Sequence, residues 1–293
     1  MALIENKITK NGICKVNKVD VAIQRFRSFE PQEGYWLAFS GGKDSVVIKR
    51  LAEMAGVKFE AHYSVTSVDP PELVRFVKSM SDVSFDIPCD QDGKPITMWN
   101  LIPRKLMPPT RVARYCCVEL KESSGKGRMT VTGVRWAESV GRRKKQSMIN
   151  DFGKGEGKGL IYNDDNAEAR RMVENCYRTS KILMNPIIDW TDDEVWEFIR
   201  TENIPYCGLY DCGYRRLGCI GCPMNTKSEN ELNAYPNYKN NYLKAFNRML
   251  DERKRRDKPT TAWNSAEEVM DWWLRKKRIK QADGQIEMGL DEL

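Results

Sequence analysis

The sequence predicts an α/β fold with a mostly parallel sheet and a C-terminal helical region. Residues 35–39 have the length and apolar composition of a strand, and a glycine turn follows them directly. Apolar residues then recur at helical spacing over 47–54, until Gly56 ends the pattern. A second strand pattern alternates over 57–63, and a third β-rich segment lies at 129–132. Strands that alternate with helices in this way are typical of a parallel sheet.

Length, composition and cysteine content indicate an enzyme of a reducing compartment. With 293 residues and 41% hydrophobic content, the chain can form one large or two modest domains. No apolar stretch has membrane-spanning length and no export signal is evident, so we expect a cytoplasmic protein without membrane association. Nine cysteines then favour metal or redox ligands over disulfides. We expect an N-terminal extension (1–32), a main domain (33–225) and a C-terminal helical region (226–293).

The glycine turn after the first strand predicts a phosphate-binding loop. Its six residues are Ser40, Gly41, Gly42, Lys43, Asp44 and Ser45. Two glycines let the backbone approach an anion closely, and unpaired N–H groups at the start of the helix point towards it. The two serines and the lysine add further donors. The spacing differs from the Walker loop and from the dinucleotide fingerprint, which indicates another nucleotide-binding family.

The loop after the second strand, residues 66–72, is a further candidate for ligand contact. Open α/β sheets bind their ligands at the carboxyl ends of the strands, where this loop lies. Pro71 suits the first turn of a helix, and we interpret Asp69 or Thr66 as the residue that caps that helix. Contact of either side chain with a ribose or base is the alternative.

The third strand leads into a segment with two arginines that suit anion binding. Gly133 permits close approach of the backbone, and Arg135 and Arg142 can each hold an anionic oxygen through paired hydrogen bonds. We interpret Glu138 as the residue that orients one of these arginines. The alternative is a surface ion pair between Glu138 and Arg142, four residues apart on a helix, with a stabilisation of about 0.5 kcal/mol.

Positive charge is concentrated in the middle of the chain, whose net charge is +7. The basic residues that crowd this stretch are Arg104, Lys105, Arg111, Arg114, Lys121, Lys126, Arg128, Arg135 and the run at 142–145. Such a concentration can neutralise the phosphates of a small nucleotide, or it can bind nucleic acid. We favour the small nucleotide and keep nucleic acid as the alternative.

Two groups of cysteines predict a thiolate-bound metal centre. Cys219 and Cys222 have the two-residue gap that lets one tight turn present both sulfurs to one metal. Cys116 and Cys117 can complete four ligands, and Cys212 is a further candidate. The nearby arginines and lysines favour an iron–sulfur cluster, whose inorganic sulfides add negative charge, over structural zinc. The spacing leaves open the metal and the choice between Cys117 and Cys212 as the fourth ligand.

Other segments are predicted to be structural. Glycine alternates with mostly charged residues over 153–159, and the stretch that follows through 171 is polar, which is typical of a mobile insertion, with a lid over the nucleotide as the alternative. Thr191 and Glu194 form a capping box ahead of a helix. Helices near 242–250 and 265–273 are followed by basic residues, which we attribute to the helix dipole rather than to nucleic-acid binding. The remaining cysteines, which we interpret as packing residues, are Cys14, Cys89, Cys176 and Cys207.

The six-residue loop resembles the PP-loop of the adenine nucleotide alpha-hydrolase superfamily. Residues 33–225 resemble the phosphoadenosine phosphosulfate (PAPS) or adenylyl sulfate reductase family, in the loop, the double cysteine, the Gly-x-Arg-x-x-Glu-Ser segment at 133–139 and the CxxC motif at 219–222. The resemblance implies a Rossmann-like (HUP-type) sheet with helices on both faces that binds ATP, PAPS or adenylyl sulfate. For the reductases it implies a four-iron, four-sulfur site at Cys116, Cys117, Cys219 and Cys222. For the related sulfur-incorporating enzymes of DNA phosphorothioation it implies Cys116, Cys212, Cys219 and Cys222.

One departure from the reductases determines the functional hypothesis. Those reductases attack the sulfate sulfur with a cysteine in a C-terminal Glu-Cys-Gly-Leu-His segment, and this chain has no cysteine after Cys222. We therefore expect an ATP pyrophosphatase that cleaves between the α and β phosphates and adenylates an acceptor, which later receives sulfur. The two rival hypotheses are a sulfonucleotide reductase whose thiol is supplied elsewhere, and a non-enzymatic nucleotide-sensing subunit with a structural metal.

The resemblance also assigns expected roles. The PP-loop holds the pyrophosphate, Arg135 and Arg142 offset the charge on the phosphates, Lys43 assists departure of pyrophosphate, and magnesium bridges the phosphates through Asp44. The iron–sulfur cluster, with zinc as the alternative metal, positions or relays sulfur. The expected partner is an adenine nucleotide, and nucleic acid, a sulfur-donor protein or a second copy of the chain are further candidates.

Overall fold

A computed structural model describes residues 3–9, 12–122, 124–125, 127–151, 160–162, 182–258 and 262–274. The chain forms two compact units, each made of two separate segments of sequence. Unit 1 comprises residues 1–98 and 115–219, and unit 2 comprises residues 99–114 and 220–293. The predicted insertion, apart from a strand at 160–162, and Cys176 lie outside the described residues. No described helix is long and apolar enough to cross a membrane.

Unit 1 is built on a seven-stranded sheet. Its strands are β3 (Tyr35–Ala38), β4 (Phe59–Ser64), β5 (Val83–Asp86), β6 (Thr130–Val131), β7 (Ile149–Asp151), β8 (Leu160–Tyr162) and β9 (Ile182–Met184). Their spatial order is β5-β4-β3-β6-β9-β7-β8; the first five are parallel, and β7 is antiparallel to both of its neighbours. The predicted α/β fold with a mostly parallel sheet is confirmed. The order of the strands reverses between β3 and β6, which is where such sheets form a ligand-binding crevice.

The described helices of unit 1 follow the predicted alternation with strands. They are α1 (Lys18–Ser28), α2 (Lys43–Ala55), α3 (Pro71–Lys78), α5 (Tyr115–Leu120), α6 (Val140–Lys145) and α7 (Asp192–Thr201), with short 3₁₀ turns at Trp136–Glu138 and Gly208–Tyr210. Helix α2 buries its apolar face and contacts both α1 and α7. It ends at Gly56, whose φ of 69° is the left-handed conformation that glycine adopts readily.

Two ion pairs attach α1 to the segment around the start of α7. Arg25 donates two hydrogen bonds of 2.9 Å to the Asp189 carboxylate, and the ammonium of Lys18 lies 2.7 Å from Glu194. Glu194 also accepts from the backbone N–H of Thr191, so the predicted capping box at the start of α7 is confirmed. The N-terminal hairpin, β1 (Ile4–Thr9) and β2 (Gly12–Asn17), precedes α1 as a separate two-stranded antiparallel sheet.

Unit 2 is helical in its described residues. Helix α4 (Met98–Lys105) enters it, and α8 (Ser228–Ala234), α9 (Pro236–Arg255) and α10 (Ala266–Leu274) form the rest. The predicted apolar face of α9 is buried, and its members are Tyr242, Ala245, Phe246, Met249 and Leu250. The ring of Trp273 lies 4.7 Å from that of Tyr242 and 5.6 Å from that of Phe246. This aromatic core is bonded to the 99–114 segment through three donors of α9 and α10: Arg248 to the carbonyl of Trp99, Arg253 to Leu106 and Trp273 to Pro109.

Candidate functional site

The PP-loop has a defined conformation in which glycine is required. Gly41 has a φ of 72°, and a Cβ atom there would lie 2.6 Å from Leu73 Cδ1. Gly42 is the N-cap of α2 and supplies no side-chain acceptor, so no side chain at the cap itself covers the amides of the first turn. The positive end of the helix dipole therefore faces the carboxyl end of β3.

A tyrosine that the sequence did not point to completes the loop. The hydroxyl of Tyr210 accepts a hydrogen bond of 2.8 Å from the backbone N–H of Lys43. Burial raises the pKa of Tyr210, so its hydroxyl stays protonated at neutral pH and can donate as well as accept. The hydroxyl of Ser45 donates to the carbonyl of Gly42 at 2.7 Å, and Ser40 Oγ accepts from the Gly42 N–H at 3.4 Å. A ligand atom that takes the Lys43 N–H must displace the tyrosine hydroxyl.

Two cations and two carboxylates form a network behind the loop. The side chain of Arg135 is 1% exposed; its Nε lies 2.7 Å from Asp44 Oδ1 and its Nη2 lies 2.5 Å from Asp192 Oδ1. The ammonium of Lys43 lies 3.3 Å from a carboxylate oxygen of each of the same two aspartates. Arg135 also donates to the carbonyl of Trp190 at 3.1 Å. Buried charge is thus matched by opposite charge, as its desolvation requires.

The network determines what the predicted catalytic residues can do. The Arg135 guanidinium is directed to protein groups and fixes the position of Asp44. Burial acts to raise the pKa of Asp192, but the hydrogen bond from Arg135 and the charge of Lys43 outweigh it, so the pKa lies below its usual value. The sequence pattern around Asp192 predicts only a structural role for this segment, whereas the structure brings the carboxylate into contact with Arg135 and Lys43.

Gly133 permits a close approach, but the approach is to a helix. A Cβ atom at this position would lie 2.8 Å from the Cβ of Asp44 and 3.1 Å from its carbonyl carbon. The loop after β6 therefore contacts the first turn of α2 directly. This contact explains a glycine at 133 without a bound anion, and it brings Arg135 within reach of Asp44.

Glu138 contacts both arginines that were expected to bind anions. Its carboxylate accepts from the backbone N–H of Arg135 at 3.1 Å and from the guanidinium of Arg142. Arg216 lies 3.6 Å from the other carboxylate oxygen. The pair is not the surface pair on one helix that the alternative required, because the Glu138 side chain is only 10% exposed and lies in the 3₁₀ turn before α6, while the Arg142 side chain is 35% exposed.

The capping role expected of Asp69 or Thr66 is wrong. Pro70 is the N-cap of α3, and no side chain caps that helix. The Asp69 carboxylate instead accepts a hydrogen bond of 2.6 Å from the hydroxyl of Tyr63, and Thr66 Oγ1 accepts from the N–H of Val68 at 3.3 Å. Both side chains are buried near the carboxyl end of β4. Their contact with a ribose or base stays a prediction.

Part of the predicted thiolate site lies around Lys121. The charge of Cys219 is the largest influence that raises the pKa of Lys121, and Asp69 and Cys117 act in the same direction. The Cys219 thiol also lies 3.9 Å from Thr66 Oγ1. Two of the predicted ligands, Cys117 on α5 and Cys219 at the end of unit 1, thus have Lys121 as a common neighbour. The sequence pattern indicates Lys121 only as a member of the basic stretch and gives no sign of its position beside these thiols.

The other cysteines have different environments. Cys116 is half-buried in α5, Cys222 belongs to unit 2, and Cys212 is exposed. Within the described ranges, no three His, Cys, Asp or Glu side chains are arranged to hold a metal ion. The interpretation of Cys14 and Cys89 as packing residues is wrong, because both are exposed; Cys207 is buried, as that interpretation required.

The parallel sheet, its switch point and the glycine loop at the start of α2 define a PP-loop α/β domain. Residues 34–225 match the model of the phosphoadenosine phosphosulfate reductase domain, and the chain belongs to this family. An uncharacterized protein of Methanocaldococcus jannaschii is 28% identical over 267 residues, which are 86% of this chain and 56% of that protein. The adenosine 5'-phosphosulfate reductase of Oceanobacillus iheyensis is 40% identical over 57 residues, 20% of this chain and 24% of that enzyme. The chain therefore spans little more than half of one relative and about a quarter of the other.

Solved structures of low sequence identity are also similar to this chain. The PAPS reductase of Candida auris, in a phosphate complex, has a TM-score of 0.44 at 13% identity and covers 71% of this chain and 90% of its own. The NMN synthetase of Francisella tularensis has a TM-score of 0.36 at 14% identity and covers 84% of this chain and 94% of its own. We base membership of the family on the sequence match alone.

Proposed function

We propose that the PP-loop binds ATP and that the domain cleaves it between the α and β phosphates, adenylating an acceptor that later receives sulfur. The observation that carries the proposal is the start of α2, where a glycine N-cap, the helix dipole and a buried cation network meet at the switch point of the sheet. Membership of an adenine nucleotide family of enzymes supports ATP as the ligand. Residues 223–293 contain no cysteine for the attack on sulfate that the reductases make, which favours adenylation over simple sulfate reduction as the first reaction to test.

In the proposed reaction an oxygen of the acceptor bonds to the α-phosphorus, and the bond to the bridging oxygen breaks, so that pyrophosphate leaves. The amides at the start of α2, with the Tyr210 hydroxyl displaced or shared, bind the pyrophosphate. Lys43 is 4% exposed and acts through its field on the loop, because its ammonium is bonded to Asp44 and Asp192. Arg142, which is partly exposed and paired with Glu138, is the further cation that offsets charge on the phosphates.

Magnesium fits the carboxylates at this site. The Asp44 side chain is 22% exposed and that of Asp192 is 66% exposed, so both present oxygen ligands to solvent. Mg²⁺ is usually held by one or two carboxylates together with substrate phosphates and waters, and it would neutralise phosphate charge here. Asp44 and Asp192 would hold it, and Arg135 and Lys43 fix the two carboxylates in position.

An iron–sulfur cluster on Cys116, Cys117, Cys219 and Cys222 is part of the proposal, with zinc as the alternative metal. The thiols suit such a cluster chemically, and the ammonium of Lys121 beside Cys117 and Cys219 would offset its negative charge. The exposed position of Cys212 supports Cys117 as the fourth ligand. Because the described residues form no metal-binding group, no step of the proposed reaction passes through the cluster.

The test measures ATP binding by equilibrium dialysis and pyrophosphate release on the same preparation, with Asp44→Asn and the control Asp82→Asn. Asp82 is an exposed aspartate that pairs with Lys49 on α2 and does not belong to the loop. We expect the wild type and Asp82→Asn to release pyrophosphate and Asp44→Asn to lose at least 90% of the rate. Bound but intact ATP would favour the sensing subunit.

A sulfonucleotide reductase is the second candidate, because Lys121 lies beside Cys219 and a neighbouring cation favours a reactive thiolate. The discriminating assay supplies adenylyl sulfate or PAPS with a dithiol and measures sulfite. Sulfite release without pyrophosphate release from ATP would replace the adenylation proposal with this one.

A further inference from the structure

Unit 2 has a cavity of its own. Its volume is about 470 Å³, and the residues that line it are Trp99, Asn241, Lys244, Asn247 and Arg248. The last four come from one exposed stripe of α9, at spacings of three, three and one residues, opposite the face that packs in the core of unit 2. Among the described residues, the lining of the cavity is one aromatic ring, two carboxamides and two cations, with no carboxylate.

Three of the four polar side chains at this cavity are not used by the fold. Across the described part of the chain, Asn241, Lys244 and Asn247 have no hydrogen-bond or ion-pair partner. Arg248 spends one Nη2 donor, at 2.7 Å, on the carbonyl of Trp99, which leaves its other donors to a ligand. Exposed polar groups without partners carry little free-energy cost, because water solvates them. Two amides and two cations around one aromatic ring are nevertheless a specific chemical combination.

Trp99 is held in place before any ligand arrives. Its ring meets that of Tyr242 edge-on, with centroids 5.1 Å apart and an interplanar angle of 73°, and that of Tyr238 at 6.4 Å. Its carbonyl is fixed by Arg248. A half-buried, pre-oriented indole lowers the entropic cost of stacking an aromatic ligand upon it.

We propose that this cavity binds single-stranded nucleic acid, with one base stacked on Trp99. The carboxamides of Asn241 and Asn247 can donate to and accept from the base edge, and Lys244 and Arg248 lie where the flanking phosphates are needed. Two cations with no carboxylate among the described lining residues favour an anionic ligand, and the carboxamides and indole favour one that carries a base. The volume is in the range of sites for one small-molecule-sized group, which a single nucleotide fills. A duplex keeps its base faces stacked and offers none to the indole.

This inference does not depend on the proposed function. All five residues belong to unit 2, whereas the PP-loop and its charge network belong to unit 1. ATP cleavage can therefore fail while strand binding succeeds, and the reverse is equally distinguishable.

The test uses the full chain and fluorescein-labelled twelve-residue oligonucleotides, dT12 and rU12, in fluorescence anisotropy titrations over a range of salt. We expect both strands to bind and duplex DNA of the same length to compete poorly. Trp99→Leu, which keeps apolar volume but removes the stacking surface, should weaken binding about tenfold or more. Lys244→Ala should weaken it and lower the slope of log K against log salt by about 0.7, the value for one phosphate on a single strand.

The matched control is Lys239→Ala, the same change of charge on the same helix. Lys239 does not line the cavity, and its ammonium donates to Asn233 at 3.1 Å. Because Trp99 packs on Tyr242, the double variant Asn241→Ala with Asn247→Ala provides a test on exposed residues alone; it should lose about tenfold in affinity and unfold at the wild-type temperature.

Three results would overturn the inference. Wild-type affinity in both Trp99→Leu and the double asparagine variant would remove the site. Equal losses in Lys239→Ala and Lys244→Ala would show attraction to general positive charge only. If AMP competes with labelled dT12 at the same nucleotide concentration as unlabelled dT12 does, the cavity binds free nucleotides rather than a strand.

Discussion

The PP-loop and the cysteine segments of unit 1 differ in how completely the chain assembles them. Around the loop, the side chains of Lys43, Asp44, Arg135 and Asp192 bind one another within 3.3 Å. The cysteines share a lysine neighbour, yet no three of the described thiols reach an arrangement that holds a metal. The loop is one contiguous stretch with a buried counter-charge, whereas the candidate ligands of unit 1, on α5 and at Cys219, lie far apart in the sequence. A metal bound by such ligands, as proposed, would contribute to the folding free energy itself.

The largest expected effect is on metal content. In protein purified without oxygen, we expect Cys219→Ser to lose the iron and sulfide of the proposed cluster, because Cys219 is one of the proposed ligands and lies beside Lys121. Cys212→Ser should retain them, since Cys212 is exposed, and Cys89→Ser is the control with an exposed thiol far from the motif in sequence. Iron and acid-labile sulfide analysis measures the outcome. Loss of iron in Cys212→Ser would instead select the set with Cys212.

Next in size is the effect of removing the buried arginine. Arg135→Leu leaves Asp44 and Asp192 without their closest cation, so we expect the free energy of unfolding to fall by about 3–5 kcal/mol. Arg142→Ala removes a cation that is 35% exposed from a pair with Glu138, so the loss should be smaller, about 1 kcal/mol. Urea denaturation compares the two. Equal losses would mean that the network is no more important to the fold than this partly exposed pair.

A smaller effect is expected from filling the contact between the loop after β6 and α2. Gly133→Ala places a methyl group 2.8 Å from the Cβ of Asp44, so the backbone must shift at a cost of about 1–3 kcal/mol. We also expect ATP affinity to fall about tenfold, because the first turn of α2 moves. Gly141→Ala is the control, since its methyl group meets only Ser139 Oγ at 3.9 Å. Unchanged ATP affinity in Gly133→Ala would show that ATP binding by the PP-loop does not depend on the contact between residue 133 and α2.

The smallest effect concerns acid. A carboxyl whose pKa is lowered by folding, as for Asp192, stabilises the folded state above its unfolded pKa of about 3.9, and that stabilisation is lost as the pH falls. Asp192→Asn should thus reduce stability at pH 7 by less than about 1 kcal/mol, given the exposure of this side chain, and flatten the decline between about pH 5 and pH 2. The free energy of unfolding, measured by urea denaturation across that pH range, tests this. A curve for Asp192→Asn that runs parallel to the wild-type curve would contradict the lowered pKa of Asp192.

How far the sequence predicts these features depends on the distance between partners. The loop and the box of Thr191 and Glu194 are local patterns, and both α2 and α7 begin where those patterns place them. Tyr210, by contrast, lies 167 residues from Lys43 in the sequence, and no local sequence pattern around it predicts that contact. The capping role of Asp69 failed for a similar reason, because the hydroxyl of Tyr63 on β4 competes for the carboxylate. Local chemistry predicts the loop, and the fold supplies its supports.

The two-segment construction of unit 2 has a consequence for synthesis on the ribosome. The carbonyls of Trp99, Leu106 and Pro109 receive their hydrogen bonds from side chains of α9 and α10, and the last of these donors is 164 residues further along the chain. At about 5–20 residues per second, the 99–114 segment waits roughly ten to thirty seconds for the donor to Pro109 to be synthesised. During that interval the nascent chain carries an unfinished helical unit between two parts of its sheet, and this segment is where we expect a chaperone to engage it.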